Sequence, residues 1–130
     1  MGIDRYLLDS DMLIEHLRGR HQAKSFILAL KSHGELLVSA ITVAELFAGA
    51  RHEPDKEAIE ALLQLAQIIP VNETIARQGG HYRQQYGRSH GTGLMDALIA
   101  ATSESEGAKL ITFNQRHFPM IANLQVPYER

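Results

Sequence analysis

Asp9, Glu45, Asp96 and Asn114 are the side chains whose settings point to chemistry. Asp9 directly follows the apolar run Tyr6-Leu7-Leu8, so a strand ending at Leu8 leaves Asp9 at its carboxyl end. Glu45 lies in the first turn of the helix expected after a second run, Leu36-Leu37-Val38. Asn114 comes just after Leu110-Ile111-Thr112, another strand end. Asp96 is the one acid in the apolar turn from Leu94 to Leu98. In open parallel sheets, ligands bind in the crevice outside the carboxyl ends of the strands. Carboxylates gathered there repel one another, and each raises the others' pKa unless a cation compensates. Mg²⁺ or Mn²⁺ accepts such oxygen ligands while keeping water and substrate phosphate in its shell.

Each residue also has a plainer reading. Asp9 with Ser10 fits the cap of a helix that starts near Asp11. Thr42-Val43-Ala44-Glu45 fits a capping box, in which Glu45 reaches back to the Thr42 amide. An acid such as Asp96 is favourable near any helix N-terminus, and Asn114 suits a turn. Asp11 reads as solvent-facing or as a cap of its own helix. The joint placement of the four, more than any one of them, argues for a site.

Strands and helices alternate around these positions. Tyr6–Leu8, Leu36–Val38, Ile68–Ile69 and Leu110–Ile111 are short and unalternated, as strands covered on both faces of a parallel sheet are. Helical spacing recurs in Leu13, Ile14 and Leu17, in Phe26, Ile27 and Leu30, in Val43, Leu46 and Phe47, and in Ile59, Leu62, Leu63 and Ala66. A more polar helix runs from Glu73 to Tyr86 with Asn72 as its cap, and Gly79-Gly80 is placed to bend it. Leu94, Met95, Leu98, Ile99 and Thr102 stripe a sixth helix, closed by Gly107. The pattern is that of one α/β domain spanning 1–130, three layers deep, with a short, mostly parallel central sheet flanked by helices.

Composition narrows the function. The chain has 130 residues, 45% of them hydrophobic and 22% charged, which suits a single globular domain and excludes a disordered chain. It contains no cysteine, so disulfides, thiolate zinc sites and thiol catalysis are excluded. No run approaches the ~18 apolar residues of a membrane span. Asp4, Arg5, Asp9 and Asp11 rule out a signal peptide, and Tyr6 breaks the acylation pattern that Met1-Gly2 invites. The reading is a soluble, cytoplasmic protein with no membrane partner. Net charge is −2, but it is sorted along the chain. Arg77, Arg83 and Arg88 lie in a stretch without acids, while Glu53, Asp55, Glu57 and Glu60 crowd together. Those three arginines fit a contact with a phosphate backbone and, equally, a solvated helix face. Arg18, Arg20, His21 and Lys24 carry the same two readings.

Four segments carry a family resemblance: Leu7-Leu8-Asp9-Ser10-Asp11, Thr42-Val43-Ala44-Glu45-Leu46, Leu94 to Ala101, and Leu110-Ile111-Thr112-Phe113-Asn114. In order and spacing they resemble the motifs of PIN-domain ribonucleases, and within these the VapC-type toxins of bacterial toxin–antitoxin pairs. The resemblance implies a metal-dependent endoribonuclease, a cognate antitoxin that blocks the site, and a homodimer. It implies an acidic triad of Asp9, Glu45 and Asp96, with Asp9 and Asp96 as the main ligands of Mg²⁺ or Mn²⁺. Thr112 and Asn114 occupy the last motif, and Ser10 and Thr112 support the triad. The family commonly places a fourth acid in or just after that motif, where this chain has Asn114 and His117. Weaker binding of a second cation follows. His117 reads as a partly exposed helix-end histidine, or as a group that approaches a phosphate when protonated.

Two other functions fit parts of the pattern. A PIN domain short of its fourth acid could bind RNA or protein without cutting. Asp9-Ser10-Asp11 after a strand also fits an aspartate-nucleophile phosphatase, but that chemistry needs a downstream lysine and a later acidic pair. Lys109 precedes its strand, and no such pair follows one.

Overall fold

The computed structural model describes residues 3–130; Met1-Gly2, weighed above as an acylation signal, lies outside them. The elements run β1 (Asp4–Leu8), α1 (Ser10–Leu17), α2 (His21–His33), β2 (Gly34–Ser39), α3 (Ala40–Ala48), α4 (Glu53–Leu63), β3 (Gln67–Ile69), α5 (Glu73–His90), α6 (Leu94–Ser105) and β4 (Lys109–Ile111), followed by a 3₁₀ turn, Gln115–His117. The four strands form one parallel sheet in the order β3-β2-β1-β4.

Register explains why the apolar runs are unalternated. Leu7 pairs with Leu37 on one side and Leu110 on the other, and these point to one face. There they meet Ile99 and Ala100 of α6, with Phe118 and Ile121. Tyr6, Leu8, Leu36, Val38 and Ile111 point to the other face, against Met12, Leu13, Ile27, Leu30, Leu46, Ile59 and Leu62 of α1 to α4. Each strand residue thus meets a helical layer whichever way it points. Burying one such leucine contributes roughly 1.5–3 kcal/mol. At the amino edge of the sheet Arg5 bonds Glu35 and Glu106, tying β1, β2 and the end of α6 together.

The outer layer corrects the expected cap of α3 and the turn in which Glu45 lies. The capping box at Thr42 does not form, because α3 starts a turn earlier. Ser39 is its cap, accepting from the Ile41 amide (3.1 Å), while Thr42 is buried within the helix. Glu45 therefore falls in the second turn. Gly79-Gly80 does not end or divide α5, which runs from Glu73 to His90. Gly79 instead lets α5 approach α6, since a Cβ there would come within 2.6 Å of Leu98 Cδ2. Asn72 does cap α5, accepting from the Ile75 amide (2.9 Å). Gly91 ends it at a φ of +66°, in the left-handed region that glycine enters at no steric cost. Among the described residues, no helix is long and apolar enough to cross a membrane.

Candidate functional site

Because β1 is a central strand, its carboxyl end is flanked by both neighbours and the helices that follow them. Asp9 sits there, only 6% exposed, as the N-cap of α1. Its amide donates to the Ile111 carbonyl oxygen (3.0 Å), which stitches the end of β1 to β4. Its Oδ1 accepts from the Ser10 amide (2.8 Å), and its Oδ2 from the Thr112 hydroxyl (2.8 Å). Capping and site membership are thus the same placement.

Asp11, read from sequence as solvent-facing or as a cap, is turned inward. Its Oδ2 accepts from the Thr112 hydroxyl (3.1 Å) and the Phe113 amide (3.0 Å). Its Oδ1 is buried without a protein partner. Thr112 has one hydroxyl proton for two carboxylates, and the same oxygen accepts from the Asn114 amide (3.1 Å). No local pattern reports this clip, since its partners are 101–103 residues apart. The one sequence signal was the two-residue spacing of the acids at a strand–helix junction.

Asp96 lies in the first turn of α6, with Leu94 and Met95 exposed beside it. Its Oδ2 is 3.1 Å from His117 Nδ1, and the Asn114 amide group lies 2.7 Å from that same nitrogen. Glu45 projects from the exposed side of α3 toward the Ser10 hydroxyl, which holds its pKa down, though burial and the charges of Asp96 and Asp11 push it up more strongly. Burial first, then the Asp11 charge, raises the Asp9 pKa to about 7; the Thr112 and Ser10 bonds oppose this, and Asp96 adds to it. Burial also raises Asp11, partly offset by the Phe113 amide, by Thr112 and by the charge of Arg130.

The arginines are spread along α5. Arg77 pairs with Glu73 (2.7 Å) and lines a groove with Glu104, at the end of α6 farthest from Asp96. Arg83 lays its guanidinium over Gly87, toward the carboxyl end of the helix. Arg88 is exposed in the last turn, just before Gly91, whose backbone abuts the His117 ring. Lys109 opens β4 and pairs in register with Tyr6, so it lies at the end of the strand away from Asp9 and cannot supply a phosphatase lysine there.

The donor set fits a hard divalent cation. It consists of carboxylate oxygens, one of them buried and unpartnered, and burial and the Asp11 charge push one acid to about 7. Among the described residues, no three Asp, Glu or His side chains already form a cage for a metal ion.

The PIN domain family model matches residues 6–124. The chain belongs to the PIN-domain family. Two relatives of this PIN domain are Ribonuclease VapC10 and Ribonuclease VapC19 of Mycobacterium tuberculosis. The first is 40% identical over 123 residues, covering 94% of this chain and 92% of that protein. The second is 40% identical over 124 residues, covering 94% and 98%. A solved toxin–antitoxin complex from Klebsiella pneumoniae contains the same fold, with a TM-score of 0.80 at 30% identity, covering 96% of this PIN domain and 99% of the matched chain. The three-layer parallel architecture expected from sequence is the one observed.

Proposed function

We infer that this PIN domain is a Mg²⁺- or Mn²⁺-dependent endoribonuclease, the toxin of a toxin–antitoxin pair, acting in the cytoplasm. One observation carries the reading: four carboxylates from three segments share the carboxyl edge of the sheet, and the most buried, Asp9, is held near neutrality. The ribonuclease names of relatives at 40% identity support it.

Asp9 and Asp96 would hold the cation, with Glu45 and Asn114 at the rim. When bound, the cation supplies Lewis-acid stabilisation of phosphate charge and makes water acidic enough to ionise near neutral pH. Glu45, exposed on its helix, orients the attacking water and accepts its proton. Ser10 steadies Glu45. Thr112 fixes Asp9 Oδ2 so that this side chain keeps one rotamer. Because water attacks rather than the ribose 2′-hydroxyl, the products carry a 5′-phosphate and a 3′-hydroxyl. Arg88 and Arg83, on the half of α5 nearer the site, take the RNA backbone. Arg77 is already paired.

The antitoxin would lie in the groove between α1, α3 and α4, where Ile14, Leu17, Leu46 and Ile59 are rimmed by Arg18 and Arg51. Glu45 lines the same groove, so an occupant reaches the site. A homodimer is the matching assembly. The test is incubation with structured RNA in Mg²⁺, in Mn²⁺ and in EDTA. Cutting is expected with either metal and lost in EDTA, in Asp9→Asn and in Asp96→Asn. Cutting that persists in EDTA or in those variants overturns the metal reading.

The absence of a preformed cage among the described residues, with Asn114 and His117 where an acid is usual, favours a second reading: a PIN domain that binds RNA or protein without cutting. Retention of RNA with no cleavage at any metal concentration would establish it.

A further inference from the structure

His117 has no part in the mechanism above, yet the fold fixes it from three sides. It ends the 3₁₀ turn, and its carbonyl oxygen accepts from the buried Thr92 hydroxyl (2.8 Å). The next residue, Phe118, is 2% exposed in the core. The ring is thus held at its backbone before its nitrogens make any bond. Gly91, at a φ of +66°, lies against Nε2, where even a Cβ would stand 3.5 Å away.

The two contacts at Nδ1 cannot be made by one proton acting independently. A carboxylate only accepts, so the proton between His117 and Asp96 belongs to Nδ1. A ring nitrogen that donates cannot also accept from an Asn114 N–H. The Asn114 Nδ2 lies 2.7 Å from Nδ1, so the two contacts are compatible once the amide is turned over to present its oxygen to the Nδ1 proton. Turned so, Asp96 Oδ2, Nδ1–H and the Asn114 amide oxygen form one three-centre hydrogen bond joining α6 to the segment after β4.

We propose that His117 is a positioning residue of the site, holding Asp96 by its Oδ2. This rests on the metal-dependent reading of the site. His117 touches neither cation nor RNA. It limits the rotation of a side chain that must offer an oxygen to a cation, as outer-sphere partners of ligating groups do. A donor nitrogen achieves this without adding another negative charge to Asp9, Asp11, Glu45 and Asp96.

The test is calorimetric titration of Mn²⁺ into the full chain without RNA, for wild type, His117→Ala, His117→Asn and His117→Gln, with thermal melts alongside. Asparagine puts a donor nitrogen near the place of Nδ1, and glutamine near the place of Nε2. His117→Ala is expected to weaken Mn²⁺ binding by about 10- to 100-fold. His117→Asn should recover most of that loss and His117→Gln should not, with metal-free melting alike in all four. Equal affinity in wild type and His117→Ala, or equal recovery by Asn and Gln, overturns the inference and leaves the metal reading standing. A wild type that binds no Mn²⁺ overturns the metal reading and this inference with it. Should His117→Ala fail to fold, the contrast between Asn and Gln still decides.

Discussion

Asp9 and Asp55 both stand at the start of a helix and both accept a backbone N–H, from Ser10 and from Arg51 respectively. Their pKa values move in opposite directions. Asp55 is partly exposed, and the Arg51 amide, with His52 beside it, lowers its pKa. Asp9 accepts an equally good bond, but burial and the Asp11 charge overwhelm it and raise it to about 7. A helix terminus alone gives an acid nothing to do, and the start of α4 is the demonstration. Chemistry enters where acids are brought together out of water with no cation among them, as at the start of α1.

The largest effect should come from removing that difference directly. Asp9→Asn is expected to lower RNA cleavage by about 10²–10³-fold or more, on the scale seen when one charge-stabilising group is lost. Asp55→Asn should leave it unchanged. A gel assay on one RNA compares the two, and equal losses would break the contrast.

Stability carries the same contrast with a definite sign. Folded Asp9 keeps its proton up to about pH 7, whereas in the unfolded chain it ionises near 3.8. The folded state binds more protons between those values, so metal-free stability falls as pH rises through that window and stays lower above it. The effect is at most about 4 kcal/mol. Melting in EDTA from pH 5.5 to 8 should show wild type dropping and Asp9→Asn nearly flat. Asparagine caps as well as aspartate, so the cap itself is not lost. Added Mn²⁺ at pH 8 should raise the wild-type melting temperature and leave the variant's unmoved.

Thr112 sharpens the comparison further. Thr112→Val removes the donor shared by Asp9 and Asp11 and the acceptor of the Asn114 amide, and is expected to cost about 1–3 kcal/mol. Cleavage should drop with it, by about tenfold. Thr112→Ser keeps the hydroxyl and should restore both. The smallest effect belongs to the arginines. Arg88→Ala should weaken RNA binding and reduce the slope of log affinity against log salt by about one. Arg77→Ala, which breaks an exposed pair with Glu73, should change neither.

Much of this was legible in the chain. The strand ends at Leu8 and Ile111 could be read because buried parallel strands are apolar on both faces. They placed Asp9 and Asn114, and the stripe of α6 placed Asp96. The Asn72 cap was legible because capping is local. Three features were not. Ser39 outcompetes Thr42 as the cap of α3 because β2 runs straight into that helix, leaving no loop in which a later start could form. Gly79 serves close packing of α5 on α6, which only its neighbour Leu98 reveals. Asp11 turns inward because its partners, Thr112 and the Phe113 amide, lie about a hundred residues away. Local patterns locate elements, and pairings across the sheet decide which way their side chains point.

Those long pairings bear on how the molecule comes into being. Asp9 is made early, but Thr112, Asn114 and His117 belong to the last fifth of the chain, and β4 is the strand that brings them alongside. A nascent polypeptide emerging from the ribosome has α1 to α5 in hand and still lacks the wall that steadies its acids. Any product of interrupted translation that stops before β4 therefore lacks the Thr112 hydroxyl that joins Asp9 to Asp11.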